Sequence, residues 1–208
     1  MPVHQQEIMS GSDDEPRDAL PATREPSATV AARTMAWVEH AVIGLNLCPF
    51  AKAPWVKGQV RCVVSPSDSP ASLLEELRAE LRRLVETDPN KIETTLLVVP
   101  DQFAEFEDFN DFLDDADAAV AALGLEGTIQ IASFHPRYRF AGTAPDDLDN
   151  ATNRAPYPTL HLLREDSVER AVEAFPEAET IYEANIRTLR ELGDSGWATL
   201  QKRIGRDS

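Results

Sequence analysis

Apolar and polar positions recur with two different periods along the chain, and the two periods predict alternating helices and strands. Apolar residues at helical spacing predict helices over residues 28–47, 69–87, 103–123, 167–175 and 177–192. Short apolar or β-branched runs predict strands over residues 59–65, 94–99, 128–133 and 159–163. Because the first three strands alternate with helices, we predict an α/β fold. It is a single domain with a mostly parallel, roughly four-stranded sheet flanked by helices. The fourth strand can join the sheet in either direction.

The two ends of the chain differ in composition from its middle. Residues 1–26 combine acidic residues and prolines with few large apolar side chains, and such a segment cannot bury enough surface to offset its ordering entropy. It also lacks the positive start and apolar run of a secretory signal. We therefore expect a disordered acidic tail at 1–26, the α/β domain at 27–193, and a loosely ordered C-terminal tail at 194–208.

Charge and cysteine usage exclude several functional classes. The 208 residues carry a net charge of −16, and so acidic a chain repels phosphate backbones and anionic bilayers. We therefore expect neither nucleic acid nor a membrane as a partner. Two cysteines without CxxC spacing exclude a disulfide scaffold and favour a reduced, cytoplasmic setting. Neither GxGxxG nor GxxxxGK[ST] is present, so no nucleotide loop is supported and the cofactor stays unknown. The oligomeric state also stays open.

One segment, residues 134–158, has no hydrophobic periodicity and follows the third predicted strand. A loop of this length inside a compact domain is either a wrong assignment or a functional element, and its composition favours function. Four arginines and three aspartates give residues 134–164 a charge of +1, whereas the rest of the chain carries −17. Arginine presents a planar fork suited to carboxylate or phosphate. Because ligands of open α/β sheets bind beyond the carboxyl ends of strands, we expect this loop to bind a small anionic molecule.

Within and near this loop, several side chains are candidates for chemistry. His135 is a candidate general acid or base, and Cys48 a candidate nucleophile with His135 or His161 as its base. The residues expected to bind the substrate are Arg137, Arg139, Asn150, Asn153, Arg154, Tyr157 and His161. Against this, such loop residues often satisfy only their own backbone, and a helix C-terminus raises the pKa of a cysteine like Cys48.

Two further patterns favour structural interpretations. No pair of histidines or cysteines has the short spacing of known metal sites, so we expect no metal. The acidic run Glu105–Asp117 alternates with phenylalanines, which predicts an amphipathic helix with its carboxylates in water.

Two motifs carry a resemblance to a known family. They are GLNLCPFA at Gly44–Ala51 and FHPRYRFAGTAPDDLDNATNRAPYPTLHLLRE at Phe134–Glu165, and IYEANIRTLRELG follows near the end. Together they resemble the bacterial family catalogued as domain of unknown function 1415, over roughly residues 30–193. The resemblance implies that the motifs belong to one fold, and it implies no reaction, cofactor or catalytic residue.

Two hypotheses of function follow from the residues. The first is a small-molecule enzyme, or former enzyme, that handles an anionic metabolite in a pocket rich in histidine, arginine and asparagine. The second is a non-catalytic ligand-binding or protein-interaction domain that uses the same loop. An enzyme needs His135 or Cys48 in the pocket with a perturbed pKa, whereas a binding protein needs only the arginines and asparagines.

Overall fold

The computed structural model describes residues 24–174 and 180–206, which contain four strands and six α-helices. The strands are β1 (Val60–Val64), β2 (Thr94–Val98), β3 (Ile129–Phe134) and β4 (Thr159–Arg164). The helices are α1 (Ser27–Trp37), α2 (Lys52–Val56), α3 (Pro70–Glu86), α4 (Phe106–Ala122), α5 (Glu165–Ala174) and α6 (Ile181–Ile204). A π-helical segment, Val38–Ile43, extends α1, and a 3-10 helix, Leu148–Asn153, lies within the predicted loop. The α/β class and the four strands are thus confirmed.

The strands form one mixed sheet in the order β1-β2-β4-β3. Only β1 and β2 are parallel neighbours, because β4 lies antiparallel between β2 and β3. The prediction of a mostly parallel sheet is therefore wrong. Alternating strands and helices predict that β1, β2 and β3 run in one direction, as they do, but they do not predict which strands are neighbours. The long loop before β4 lets this strand enter the sheet in the opposite direction.

Each face of the sheet is covered by a separate layer of helices. On one face, the leucines of α3 and two phenylalanines of α4, Phe109 and Phe112, form a core with the strand residues Leu97, Leu160 and Leu162. On the other face, α1 and α6 pack against Leu96 through Trp37, Leu189 and Trp197. The alternation of side chains along β2 sends successive residues to opposite faces, so this strand contributes Leu97 to one core and Leu96 to the other.

The C-terminal segment is helical to Ile204 rather than loosely ordered. Gly193 breaks the helix locally with a φ of 66°, and the helix resumes beyond it. Trp197 and Ile204 are 8% and 4% exposed, and this apolar burial holds the segment against α1. None of the helices in the described part of the chain combines the length and the apolar composition of a membrane span.

Most of the predicted N-terminal tail, residues 1–23, lies outside the described residues, as does the junction at 175–179. Residues 24–26 are described and lie against the domain. The Arg24 guanidinium pairs with Asp101 and donates to the backbone carbonyl of Ser65 at 3.1 Å. The chain is therefore attached to the carboxyl edge of β1 and β2 before α1 begins.

Candidate functional site

The loops after β2 and β3 meet at one edge of the sheet, because both strands run antiparallel to β4. His135 joins the two loops. Its Nε2–H donates to the carbonyl oxygen of Phe103 at 2.8 Å, and its Nδ1 accepts the backbone N–H of Arg137 at 3.0 Å. The carbonyl can only accept, which fixes the proton on Nε2 and leaves Nδ1 as the acceptor. Both ring nitrogens of His135 are thus engaged within the protein.

Burial also favours the neutral form of His135. The residue is 1% exposed, and its ring stacks on Phe109 with centroids 5.5 Å apart. Burial lowers the pKa of His135, while the bond to the Phe103 carbonyl opposes this effect. A neutral imidazole with two fixed hydrogen bonds connects the loops, and it has no free nitrogen for proton transfer.

An open groove of about 410 Å³ lies between the N-terminus of α4 and the loop that follows β3. Its charged lining consists of three arginines and two glutamates, namely Arg137, Arg139, Arg154, Glu105 and Glu107. Arginines therefore outnumber carboxylates in this groove, although the whole chain is strongly acidic. The groove lies at the carboxyl end of β3, where the sequence predicts ligand binding.

Two of the three arginines form ion pairs at the surface. Arg137 donates to both carboxylate oxygens of Glu105, and Arg139 Nη2 lies 3.1 Å from a carboxylate oxygen of Glu107. All four side chains are between 44% and 63% exposed. Exposed pairs of this kind contribute about 0–1 kcal/mol each. An anion in solution can therefore compete with these glutamates for the arginines.

Arg154 differs from the other two arginines because its partners are neutral. Its Nε donates to the carbonyl of Tyr138 at 3.4 Å, and its Nη2 donates to the carbonyl of Pro145. In the described part of the chain, no carboxylate lies within ion-pair distance of Arg154. Burial lowers its pKa, and the charges of Asp146 and Asp147 oppose that effect. A guanidinium remains charged at neutral pH, so Arg154 brings to the groove a positive charge that no carboxylate of the described residues pairs directly.

The two predicted asparagines hold the loop itself. Asn150 is fully buried; its Oδ1 accepts from the N–H of Phe140 and the hydroxyl of Thr143, and its Nδ2 donates to the Ala144 carbonyl at 2.8 Å. Asn153 Nδ2 donates to the carbonyl of Ser133 at 3.3 Å. These bonds fix the backbone of the loop that precedes Arg154, so the asparagines position the groove without lining it.

An ion pair attaches the same loop to α6. Both carboxylate oxygens of Asp149 accept from Arg190, at 3.0 and 2.6 Å, and the Asp149 side chain is 8% exposed. The sequence analysis missed this pair. The available signal was the third family-like motif, because it contains Arg190, and its partner Asp149 lies within the long second motif.

Tyr157 lies beside the N-terminal segment rather than in the groove. Its hydroxyl accepts from Arg33 Nη1 at 2.8 Å and donates to Glu25 at 2.6 Å. Burial and the bond to Glu25 raise the pKa of Tyr157. This side chain therefore joins residues on α1 to the chain that precedes β4.

His161 lies within β4, on the face covered by α1 and α6. The hydroxyl of Thr94 donates to the Leu162 carbonyl at 2.7 Å, so it accepts from Nε2–H of His161, also at 2.7 Å. Burial lowers the pKa of His161 to about 4. Its ring lies 6.0 Å from that of Phe134. His161 is thus a neutral residue of the sheet and does not line the groove.

Cys48 lies at the turn between the π-helical segment and α2. Gly44 makes this turn possible, since a Cβ there would lie 2.3 Å from a backbone oxygen of the preceding turn. Asn185 of α6 donates to the carbonyl of Leu47 at 2.9 Å and fixes the turn. Burial raises the pKa of Cys48, although hydrogen bonds from the backbone of the next turn partly oppose it. Cys48 is not among the residues that line the groove.

Two residues that the sequence analysis missed are Glu105 and Glu107 at the start of α4. Their acidic run was interpreted only as a solvated helix face, and much of that run is exposed. However, the start of α4 follows the carboxyl end of β2 and therefore reaches the same edge as the arginine-rich loop. Across residues 24–174 and 180–206, no three histidine, cysteine or acidic side chains are grouped closely enough to hold a metal.

The fold and groove define an α/β protein with a mixed sheet and a basic groove at one edge. By sequence, the chain belongs to the family described as "Protein of unknown function (DUF1415)", whose match covers residues 29–199. Comparison with curated proteins and comparison with solved structures give no match. Family membership thus confirms the resemblance, and inferences of function rest on the geometry of the chain itself.

Proposed function

We propose that this protein binds a small anionic molecule, a carboxylate or a phosphate, in the groove between the start of α4 and the loop after β3. The observation that carries the proposal is the state of Arg154. This guanidinium is partly buried, and its hydrogen bonds go to two neutral carbonyls. A ligand anion would supply the direct ion pair that Arg154 lacks among the described residues, and a charge-assisted bond to arginine is stronger than a neutral one.

The other two arginines extend the same site. Arg137 and Arg139 line the groove on the side of α4, each held by an exposed glutamate. The carboxylates of those glutamates form the ion pairs with the arginines that a ligand carboxylate would otherwise form. We expect an incoming anion to displace at least one of them, since exposed ion pairs are weak.

The geometry supports binding better than catalysis. The ring nitrogens of His135 are both engaged, and burial lowers its pKa. The sulfur of Cys48 lies outside the groove lining, and burial raises its pKa. These observations favour the non-catalytic ligand-binding hypothesis over an enzyme that uses His135 and Cys48.

A thermal-shift screen of the full chain with phosphate, malonate and succinate tests the proposal. At a ligand concentration ten times the dissociation constant, a bound anion stabilises the protein by about 1.4 kcal/mol. Arg154→Gln should abolish this gain, and Arg139→Gln should reduce it without disturbing the buried loop. Arg82→Gln, an exposed arginine of α3 outside the groove, is the matched control. A gain that survives both groove substitutions would place the anion elsewhere and refute the proposal.

A further inference from the structure

A second groove, of about 340 Å³, adjoins the first and has a different lining. It lies between α1, the last turns of α6 and the segment that follows Arg154. Pro136 and Arg154 line both grooves. The two grooves therefore meet at Arg154, the residue to which the proposed function assigns the anion.

The second groove has an apolar wall that includes two tryptophans. Trp37, at the end of α1, and Trp197, on α6, are 3% and 8% exposed. Both belong to the core between α1 and α6, so their positions are fixed by packing before any ligand arrives. Pro156 and Ile204 complete the apolar wall. Such preformed apolar surface beside a few polar groups is typical of sites for small organic molecules.

The polar residues at the second groove have the charge expected for the same ligand. Arg33 lines this groove, and its guanidinium lies 5.8 Å from the centre of the Tyr157 ring. Glu25 is paired with Arg33, whereas Arg154 has only neutral hydrogen-bond partners within the described residues. The apolar wall of the second groove is therefore continuous with the positive charge of Arg154, which lines both grooves.

We infer that the anion bound at Arg154 carries an aromatic ring, which lies in the second groove against Trp37 and Trp197. The ligand class is thus an aryl phosphate or an aromatic carboxylate, rather than a bare inorganic anion. This inference rests on the proposed function, because it places the anionic group in the first groove. Apolar contact with the accessible edge of this wall buries part of the ligand ring, and that burial adds to the affinity.

Calorimetric titration of the full chain with phenyl phosphate and with inorganic phosphate tests the inference. Because a buried aromatic ring adds to the binding of the shared phosphate, phenyl phosphate should bind about tenfold more tightly or better. Arg154→Gln should weaken both ligands, since both place their phosphate on this arginine. Equal affinities would overturn the inference and leave the proposed function intact, whereas no binding of either ligand would refute both.

Tryptophan fluorescence locates the ring independently. The chain has three tryptophans, and Trp55 is not among the residues that line the second groove. In Trp55→Phe, the remaining emission comes from Trp37 and Trp197. We expect 4-nitrophenyl phosphate to quench this emission saturably, with the dissociation constant found by calorimetry, and inorganic phosphate to leave it nearly unchanged. Tighter binding of the aryl phosphate without quenching would place the ring elsewhere and overturn the inference.

Discussion

His161 makes the stability of the fold dependent on pH. It lies in β4 between Leu96 and Ala132 of the flanking strands, and its proton on Nε2 is donated to the hydroxyl of Thr94. A second proton would place a charge on a face of apolar residues. The substitution His161→Gln keeps an N–H donor for Thr94 and removes the titrating ring, so it isolates the effect of protonation.

The size of the effect follows from the two pKa values of His161. Burial holds its pKa at about 4 in the folded protein, below the value of about 6.5 in an unfolded chain. The unfolded state therefore binds the proton more readily, and stability is lost as the pH falls below 6.5 and levels off below 4. Between pH 7.5 and pH 5, this linkage removes about 2 kcal/mol from the free energy of unfolding.

Urea denaturation of the natural protein and of His161→Gln at pH 7.5 and pH 5 measures this loss. Because carboxylates and the other histidines titrate in both proteins, the difference between their two pH dependences belongs to His161. We expect the natural protein to lose about 2 kcal/mol more than the variant over this interval. Identical pH dependences would show that His161 titrates normally in the folded state and would refute its assignment as a neutral residue of the sheet.

Three further predictions concern the turn, the loop connection and the cysteines. Gly44→Ala should lower the free energy of unfolding, measured by urea denaturation, by about 1–3 kcal/mol, because the added Cβ has no room. In the control variant Gly205→Ala the added Cβ has no contact under 3.6 Å, so the loss should be far smaller. Equal losses would contradict this reasoning. His135→Ala should destabilise the protein by about 2–4 kcal/mol, because the Phe103 carbonyl and the Arg137 N–H lose their hydrogen-bond partner. Unchanged stability would contradict the structural role of His135 and would favour a catalytic one. Since burial raises the pKa of Cys48, and that of Cys62 to about 11, iodoacetamide should label both slowly at neutral pH. Rapid labelling of Cys48 that phosphate suppresses would restore it as a nucleophile.

The sequence predicts the elements of this fold better than their arrangement. The apolar run of β2 and the helically spaced leucines of α3 are local signals, and the structure contains both the strand and the helix that they predict. The direction of β4 is a tertiary property: Leu160, His161 and Leu162 alternate in the same way whether the strand is parallel or antiparallel. The helix beyond Gly193 was missed because a glycine with positive φ normally ends a helix, whereas here the burial of Trp197 favours its continuation.

The candidate site shows the same division between local and tertiary information. The excess of arginine over aspartate indicates the loop that contains Arg154. The position of this loop in the chain, directly after the third strand, indicates the edge of the sheet at which it lies. The sequence does not distinguish Asn150, which satisfies the loop backbone, from Arg154, which faces the groove, because both are polar residues of one motif. The participation of Glu105 depends on β2 and β3 ending at the same edge, and this follows only from the assembled sheet.

The measurement that tests the anion-binding account most directly is a phosphate titration followed by ¹H–¹⁵N NMR on the full chain. The account predicts saturable shifts of the Nε–H signals of Arg154 and Arg139 and of the backbone amides at Arg137 and Phe106. It predicts no comparable shift around Cys48, which lies outside the groove lining. Arg154→Gln should abolish these shifts, whereas Arg82→Gln should preserve them. Saturable shifts confined to other surfaces, or no shifts at millimolar phosphate, would contradict the account.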